Sequence, residues 1–136
     1  MLERNVIQVR GFRNITDEKG EVSGFQVRVR NTYYRAAWLS LYRFGDVVVD
    51  GKVYDKDSVL WEIGGMEYTR KQALKMSDTQ WSNMEAATVK VKKAGGLSSG
   101  YHDVSVAYSY VASYEPMGDP DETGELTEYT ARMILV

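Results

Sequence analysis

Residues 104–114, VSVAYSYVASY, carry the reading that decides the fold. Val104, Val106, Tyr108, Tyr110, Ala112 and Tyr114 alternate with Ser105, Ala107, Ser109, Val111 and Ser113. A period of two is the signature of extended backbone, because successive side chains of a strand point to opposite faces. About ten residues in one such run predict a strand at the long end of the usual range. The pattern recurs upstream. Phe25, Val27 and Val29 alternate with Gln26, Arg28 and Arg30, and Val89 and Val91 alternate with Lys90 and Lys92. Shorter runs at 6–12, 38–42, 46–49, 59–63 and 128–135 bring the expected total to about eight strands.

Turn chemistry separates these runs. Asp50-Gly51, between Val49 and Val53, is a strong hairpin signal, because the pair tolerates the positive φ that a tight turn needs. Residues 17–20 (DEKG), Gly64-Gly65, Gly95-Gly96 and the Ser98-Ser99-Gly100 stretch mark further turns or loops. One segment, 69–76, holds good helix formers behind a possible Thr69 cap, and a turn or two of helix is expected there. Residues 79–85 read as irregular. Residues 115–125 hold both prolines and several acids and read as an exposed loop. The fold class that follows is all-β: an antiparallel two-sheet β-sandwich with one short helical segment, in a single domain over 1–136.

Composition narrows the function. With 17 basic and 19 acidic residues the net charge is −2, which offers no electrostatic footprint for nucleic acid. No stretch approaches the ~20 apolar residues of a membrane-spanning helix, and no secretory leader pattern is visible. There is no cysteine, which removes disulfides, thiolate metal sites and thiol nucleophiles and leans toward a cytoplasmic protein.

The search for catalytic chemistry finds little. His102 is the only histidine, so a His-based metal site would need carboxylate help that no spaced acidic cluster supplies. It reads as a surface or loop-anchoring side chain bonded to the loop before the long strand, and as a general base only if a nucleophile lies close in space. Asp17 and Glu18, and Asp119, Asp121 and Glu122, read as solvated turn residues, without the spacing of a calcium loop. The glycine pairs lack the pattern of a phosphate-binding loop. No catalytic, cofactor-binding or metal-ligating residue is assigned.

Aromatic residues are more informative: ten Tyr and three Trp. Tyr108 and Tyr110 continue an apolar strand face and read as core. Tyr33, Tyr34 and Trp38 cluster around Arg35, which is the composition of an interface hot spot and equally of a packed core. Strand alternation would put Tyr34 and Trp38 on one side, and Tyr33 and Arg35 on the other, outward side. Aromatic platforms also stack on sugar rings, so a carbohydrate-binding module and a structural interaction domain stand as alternatives.

Three stretches carry a family resemblance: Tyr33-Tyr34-Arg35 with Leu39-Ser40-Leu41; Val49-Asp50-Gly51; and 95–104, GGLSSGYHDV. Tyr68-Thr69, Trp81 and Ser113-Tyr114-Glu115-Pro116 add support. On these residues the chain resembles the β subunit of bacterial C-glycoside deglycosidases over nearly its whole length. The resemblance implies a heteromeric lyase acting on substrates such as flavonoid C-glycosides. It implies a TIM-barrel α subunit, in a heterodimer or higher heteromer, that holds a divalent metal (manganese) and the acid/base groups. It also implies cleavage of the C–C bond between a 3-oxo sugar and an aromatic aglycone. This chain is then the non-catalytic subunit, with no cofactor of its own. Tyr33, Tyr34, Arg35, Trp38, Trp81 and His102 are its candidate partner-contact or pocket-rim residues. The acidic loop 118–125 fits no family pattern.

Overall fold

The long alternating run forms the centre of a sheet. The computed structural model describes residues 2–33, 35–111 and 126–136. Within them β10, Gly100–Tyr110, pairs antiparallel with β4 (Tyr42–Val49) on one side and β11 (Glu128–Leu135) on the other. β5, Lys52–Tyr54, completes a four-stranded sheet in the order β11-β10-β4-β5. The face carrying His102, Val104, Val106 and Tyr108 is buried, as the alternation requires.

A five-stranded antiparallel sheet packs against it. It is built from β1 (Ile7–Thr16), β2 (Val22–Arg30), β9 (Ala86–Lys92), β6 (Val59–Ile63) and β7 (Met66–Tyr68), in that order. A two-stranded ladder, β3 (Ala37–Trp38) with β8 (Gln80–Trp81), stands beside them. The all-β class therefore holds, with eleven strands among the described residues rather than about eight. The extra ones are two- and three-residue strands, too short for alternation to register. The Asp50-Gly51 hairpin forms as expected. Val49 pairs Lys52 across it, and both turn residues have positive φ, 51° and 82°. α1, Arg70–Leu74, starts from Thr69, whose side chain accepts from Gln72 N–H while Gln72 reaches back to Thr69 N–H.

Two expectations need correcting. Residues 38–42 do not form a strand. Leu39–Leu41 winds into a 3₁₀ turn instead, because Leu39 N–H donates to Thr79 O (2.8 Å) and Ser40 N–H to Met76 O (3.2 Å). Strand β4 then begins at Tyr42 and absorbs the run expected at 46–49. Residues 79–85 are not wholly irregular, since Gln80 and Trp81 pair with Trp38 and Ala37. The loop expected at 115–125, with its acidic residues, lies outside the described residues, as does Tyr34.

A bulge in β4 sets the core. Phe44 faces Tyr108 and Val47 faces Val106, so three steps on β4 match two on β10. The extra residue restores the inward face, and Tyr42, Phe44, Val47 and Val49 are all buried. The Phe44 ring stacks on Trp61 of the opposite sheet, centroids 4.0 Å apart and planes at 19°. Trp61 meets Tyr108 edge-on at 5.8 Å, and Trp81 closes on Tyr42 at 5.1 Å. The core is thus an aromatic layer between the sheets. Phe44→Ala is expected to lower unfolding free energy by ~3–5 kcal/mol, whereas Val53→Ala on the exposed face should cost under ~0.5 kcal/mol; urea titration of each variant checks the contrast.

Candidate functional site

Two features stand out, one at each end of β10. The first is an aromatic groove. Tyr108 places it by holding residues 30–33. Its hydroxyl donates to Arg30 O (2.5 Å) and accepts from Thr32 N–H (3.1 Å). Burial pushes this phenol up to about 12, so it remains a protonated donor at any ordinary pH. Asn31, itself buried, donates to Trp81 O (3.0 Å) and accepts from Tyr33 N–H (3.0 Å). Together they direct Tyr33 toward the end of β10, where its ring lies on Tyr110 with centroids 4.2 Å apart. The Arg35 guanidinium stands 6.0 Å from the centre of the Tyr33 ring, within cation–π reach.

Tyr33, Arg35, Trp38, Leu41, Gln80 and Tyr110 are the main walls of a cavity of about 410 Å³. The alternation argument for this stretch fails, because residues 31–33, 35 and 36 lie outside any strand. Trp38, placed inward by that argument, is 43% exposed and shares the groove with Tyr33 and Arg35. Tyr110 is half-buried and belongs to the groove as much as to the core. Trp81 sits elsewhere than the surface: it is fully buried and its Nε1–H donates to Glu85 O (3.0 Å). It has no face to offer a partner and supports the groove from behind. A separate polar hollow of about 520 Å³ lies on the outer face of the five-stranded sheet, between Arg10, Arg28 and Glu62. Leu2 and Met84 join its charged and polar walls, and it gathers no aromatic ring.

The second feature is a loop held from four directions. Asn14 Nδ2 donates to Leu97 O (2.9 Å) and Leu97 N–H donates back to Asn14 Oδ1 (2.9 Å), so one side chain imitates a strand neighbour. Lys93 Nζ donates to Gly96 O (2.9 Å), and Gly95 N–H donates to Val22 O (3.1 Å). His102 bridges the fourth contact. Its Nε2 lies 2.7 Å from Ser98 O and its Nδ1 lies 2.6 Å from Asp50 Oδ2. Asp50 also accepts from Asp103 N–H (2.8 Å), which ties the hairpin turn to β10. His102 is buried rather than at the surface; its polar contacts are with the loop and the turn, and the Phe12 ring of β1 meets it edge-on.

The Ser98 carbonyl, and then the Asp50 carboxylate, hold the His102 imidazole above its ordinary value against the burial that pulls it down. The His102 contact, and then the Asp103 amide, hold the Asp50 carboxyl below its ordinary value. Sequence reading identified the loop and His102 but missed Asp50, Asn14 and Lys93 as its holders. Only the Asp-Gly pair carried a usable signal, and it spoke for the turn rather than for the side chain.

Both His102 ring nitrogens are engaged, by Asp50 Oδ2 and Ser98 O, and neither meets a serine or threonine hydroxyl among the described residues. Among the described residues no group of three or more Asp, Glu or His could hold a metal ion. None of their helices is long and apolar enough to cross a membrane. Asp17 is engaged in its own turn, accepting from the Lys19 and Glu21 amides.

Comparison with known proteins gives the family. Residues 2–114 match the family model described as C-glycoside deglycosidase beta subunit. A protein of Eubacterium cellulosolvens named C-glycoside deglycosidase beta subunit is 43% identical over 115 residues, covering 85% of this chain and 78% of that protein. The chain belongs to the C-glycoside deglycosidase β-subunit family. For this family member, both the aromatic groove and the four-way loop fall within the matched stretch.

The loop gives a direct test of how tightly it is fixed. Gly95 and Gly96 both have positive φ, 79° and 62°. A Cβ on Gly95 would meet open space, whereas one on Gly96 would lie 2.4 Å from Asn14 Oδ1. Gly95→Ala should therefore cost only the left-handed strain, ~1–2 kcal/mol. Gly96→Ala should cost distinctly more and should loosen the Asn14–Leu97 pair. Thermal melting and the Leu97 amide exchange rate read both effects.

Proposed function

We propose that this chain is the non-catalytic β subunit of a heteromeric C-glycoside deglycosidase, docked on a TIM-barrel α subunit that carries the chemistry. The observation that carries this reading is the family match over 2–114, supported by the 43% identity to a protein of that name. The reaction proposed for the complex cleaves the C–C bond between a 3-oxo sugar and an aromatic aglycone, a flavonoid C-glycoside being the type of substrate. A ketone acidifies the neighbouring C–H. Removal of that proton lets the bond to the aglycone break, with the electron pair leaving on the aglycone, which is then reprotonated. A divalent metal held by the α subunit, manganese in this reading, would supply charge stabilisation at the ketone oxygen. The described residues of this chain do not fit such a metal, so no step of the reaction is assigned to them.

What this chain supplies is surface. The groove of Tyr33, Arg35 and Trp38 combines large rigid rings with a guanidinium, the residue types that dominate interface energetics. A cysteine-free chain suits a reducing cytoplasm, where we place the complex. The chain alone should show no C-glycoside cleavage, with or without manganese. Turnover by the isolated chain, after rigorous removal of any barrel subunit, would overturn the non-catalytic reading.

Arg35 tests the docking surface. It is exposed and touches the groove through Tyr33, so its truncation should leave the core intact. Arg35→Ala is expected to weaken assembly with the α subunit about thirty-fold, ~2 kcal/mol, without lowering the melting temperature of the chain itself. Size-exclusion chromatography of the co-expressed pair, with melting of the variant alone, reads both. Unchanged assembly would move the interface away from the groove.

A further inference from the structure

The hydrogen bonds of His102 fix its charge. A main-chain carbonyl only accepts, and so does an ionised carboxylate. Neutral imidazole carries one N–H, so a neutral His102 would leave one ring nitrogen lone pair facing an oxygen lone pair. Ser98 O at 2.7 Å and Asp50 Oδ2 at 2.6 Å are both satisfied only when both ring nitrogens are protonated. We propose that His102 is held as an imidazolium that clasps the loop at 95–100 to the Asp50-Gly51 turn, and that loss of its proton releases the loop, making the order of the exposed 98–99 tip pH-dependent.

The surroundings favour the cation. From the β4–β5 turn comes Asp50, whose carboxylate is half exposed. Along β10 comes Asp103, exposed and bonded through its amide to the same carboxylate. β11 contributes Arg132, opposite Asp103 in register and acting on Asp50 at longer range. Its guanidinium lies over the Tyr101 ring at 5.3 Å. The loop side contributes Lys93, committed to Gly96 O. β5 contributes Tyr54, with Lys52 5.3 Å from its ring centre. β1 meets the imidazole with Phe12, edge-on at 6.2 Å, and holds Leu97 through Asn14, while its Arg10 and Arg13 are exposed. In direct contact with the cation there is one carboxylate and no second cation.

The sign follows from linkage. His102 is raised in the folded chain, so its contribution is complete below the unfolded value of about 6.5 and is lost as pH rises through the folded value. Asp50 is lowered, so its contribution is complete above about 3.9 and is lost only as pH falls through its folded value. The window in which the clasp opens therefore begins above about 6.5, with Asp50 ionised throughout. Each unit by which the imidazole value differs between the closed and the open loop corresponds to a tenfold difference in loop closure between the two protonation states.

The proposal rests on the clasp geometry and does not depend on the subunit reading. A lone histidine makes it directly measurable, because a single imidazole signal reports on a single site. In the full-length chain, the His102 imidazole and the amides of Leu97, Ser98 and Gly100 should be followed by NMR from about pH 5 to 9. One shared midpoint above 6.5 is expected, with Leu97 protection falling on the alkaline side. Asp50→Asn should move the imidazole midpoint down while leaving the chain folded. His102→Gln should abolish the step in the loop amides. An imidazole midpoint at or below 6.5, loop amides that ignore the imidazole titration, or a midpoint indifferent to Asp50→Asn would each overturn the proposal.

Discussion

The stack of Phe44 on Trp61 is the contact on which the rest of the structure depends. The two rings come from opposite sheets and meet at 4.0 Å, so the stack fixes both the spacing and the lateral register of the sandwich. Its energetics are favourable despite a defect. Trp61 Nε1 has no hydrogen-bond partner among the described residues, which costs roughly 1–3 kcal/mol. A buried aromatic ring removes ~150–250 Å² from water, worth ~4–6 kcal/mol at ~25 cal/mol per Å². The ring area wins, and the edge contacts to Trp81 and Tyr108 add to it. The stack also explains the bulge in β4. Without the extra residue, Phe44 and Val47 would point to opposite faces and one of them would leave the core.

From that layer the order spreads outward through Tyr108. Its ring belongs to the core, yet its hydroxyl reaches Arg30 and Thr32 and so determines where the chain leaves β2. Tyr33 acquires its position from this one phenol and from Asn31, and Arg35 stands over its ring. The groove is thus assembled by buried residues that never reach its surface. A change at Tyr108 or Asn31 would alter the groove as surely as a change at Arg35, but through the geometry of residues 30–33 rather than through a lost contact.

The legible parts of the fold were those governed by periodicity. The alternation at 104–114 described β10 as far as Tyr110, with Val111 past its end and 112–114 outside the described residues, and that at 25–30 described β2, because one face of each is buried and one is not. The Asp50-Gly51 and Thr69 signals were read correctly because their chemistry is local. Residues 33–42 were misread because two non-local facts override their pattern. The main-chain carbonyls of Met76 and Thr79 take the amides of Ser40 and Leu39, and the Tyr108 hydroxyl takes the turn before them. Neither is visible in the segment itself. Trp81 shows the same limit from the other side. A tryptophan in an irregular-looking stretch reads as surface until the partner strand that buries it is known. The clasp was half legible: His102 and the glycines stood in one continuous stretch, but Asp50 and Asn14 come from 52 and 83 positions away along the chain from the residues they hold.

One strand connects the two features. The groove meets β10 at Tyr110 and the clasp meets it at His102, close to its other end. At ~3.3 Å per residue these points are roughly 25 Å apart, too far for direct contact between them. Between them β10 is paired on both sides and buried on its inner face, so it is a stiff spacer. Local events at one end therefore have little leverage at the other. Proton loss at His102 frees backbone that is bonded to Asn14, Lys93 and Asp50, none of which touches Tyr33, Arg35 or Tyr110 in any described contact. The groove in turn depends on Tyr108 and Asn31, neither of which touches the loop. The molecule is in this sense divided: an aromatic groove at one end of β10, and at the other a loop whose closure follows one proton.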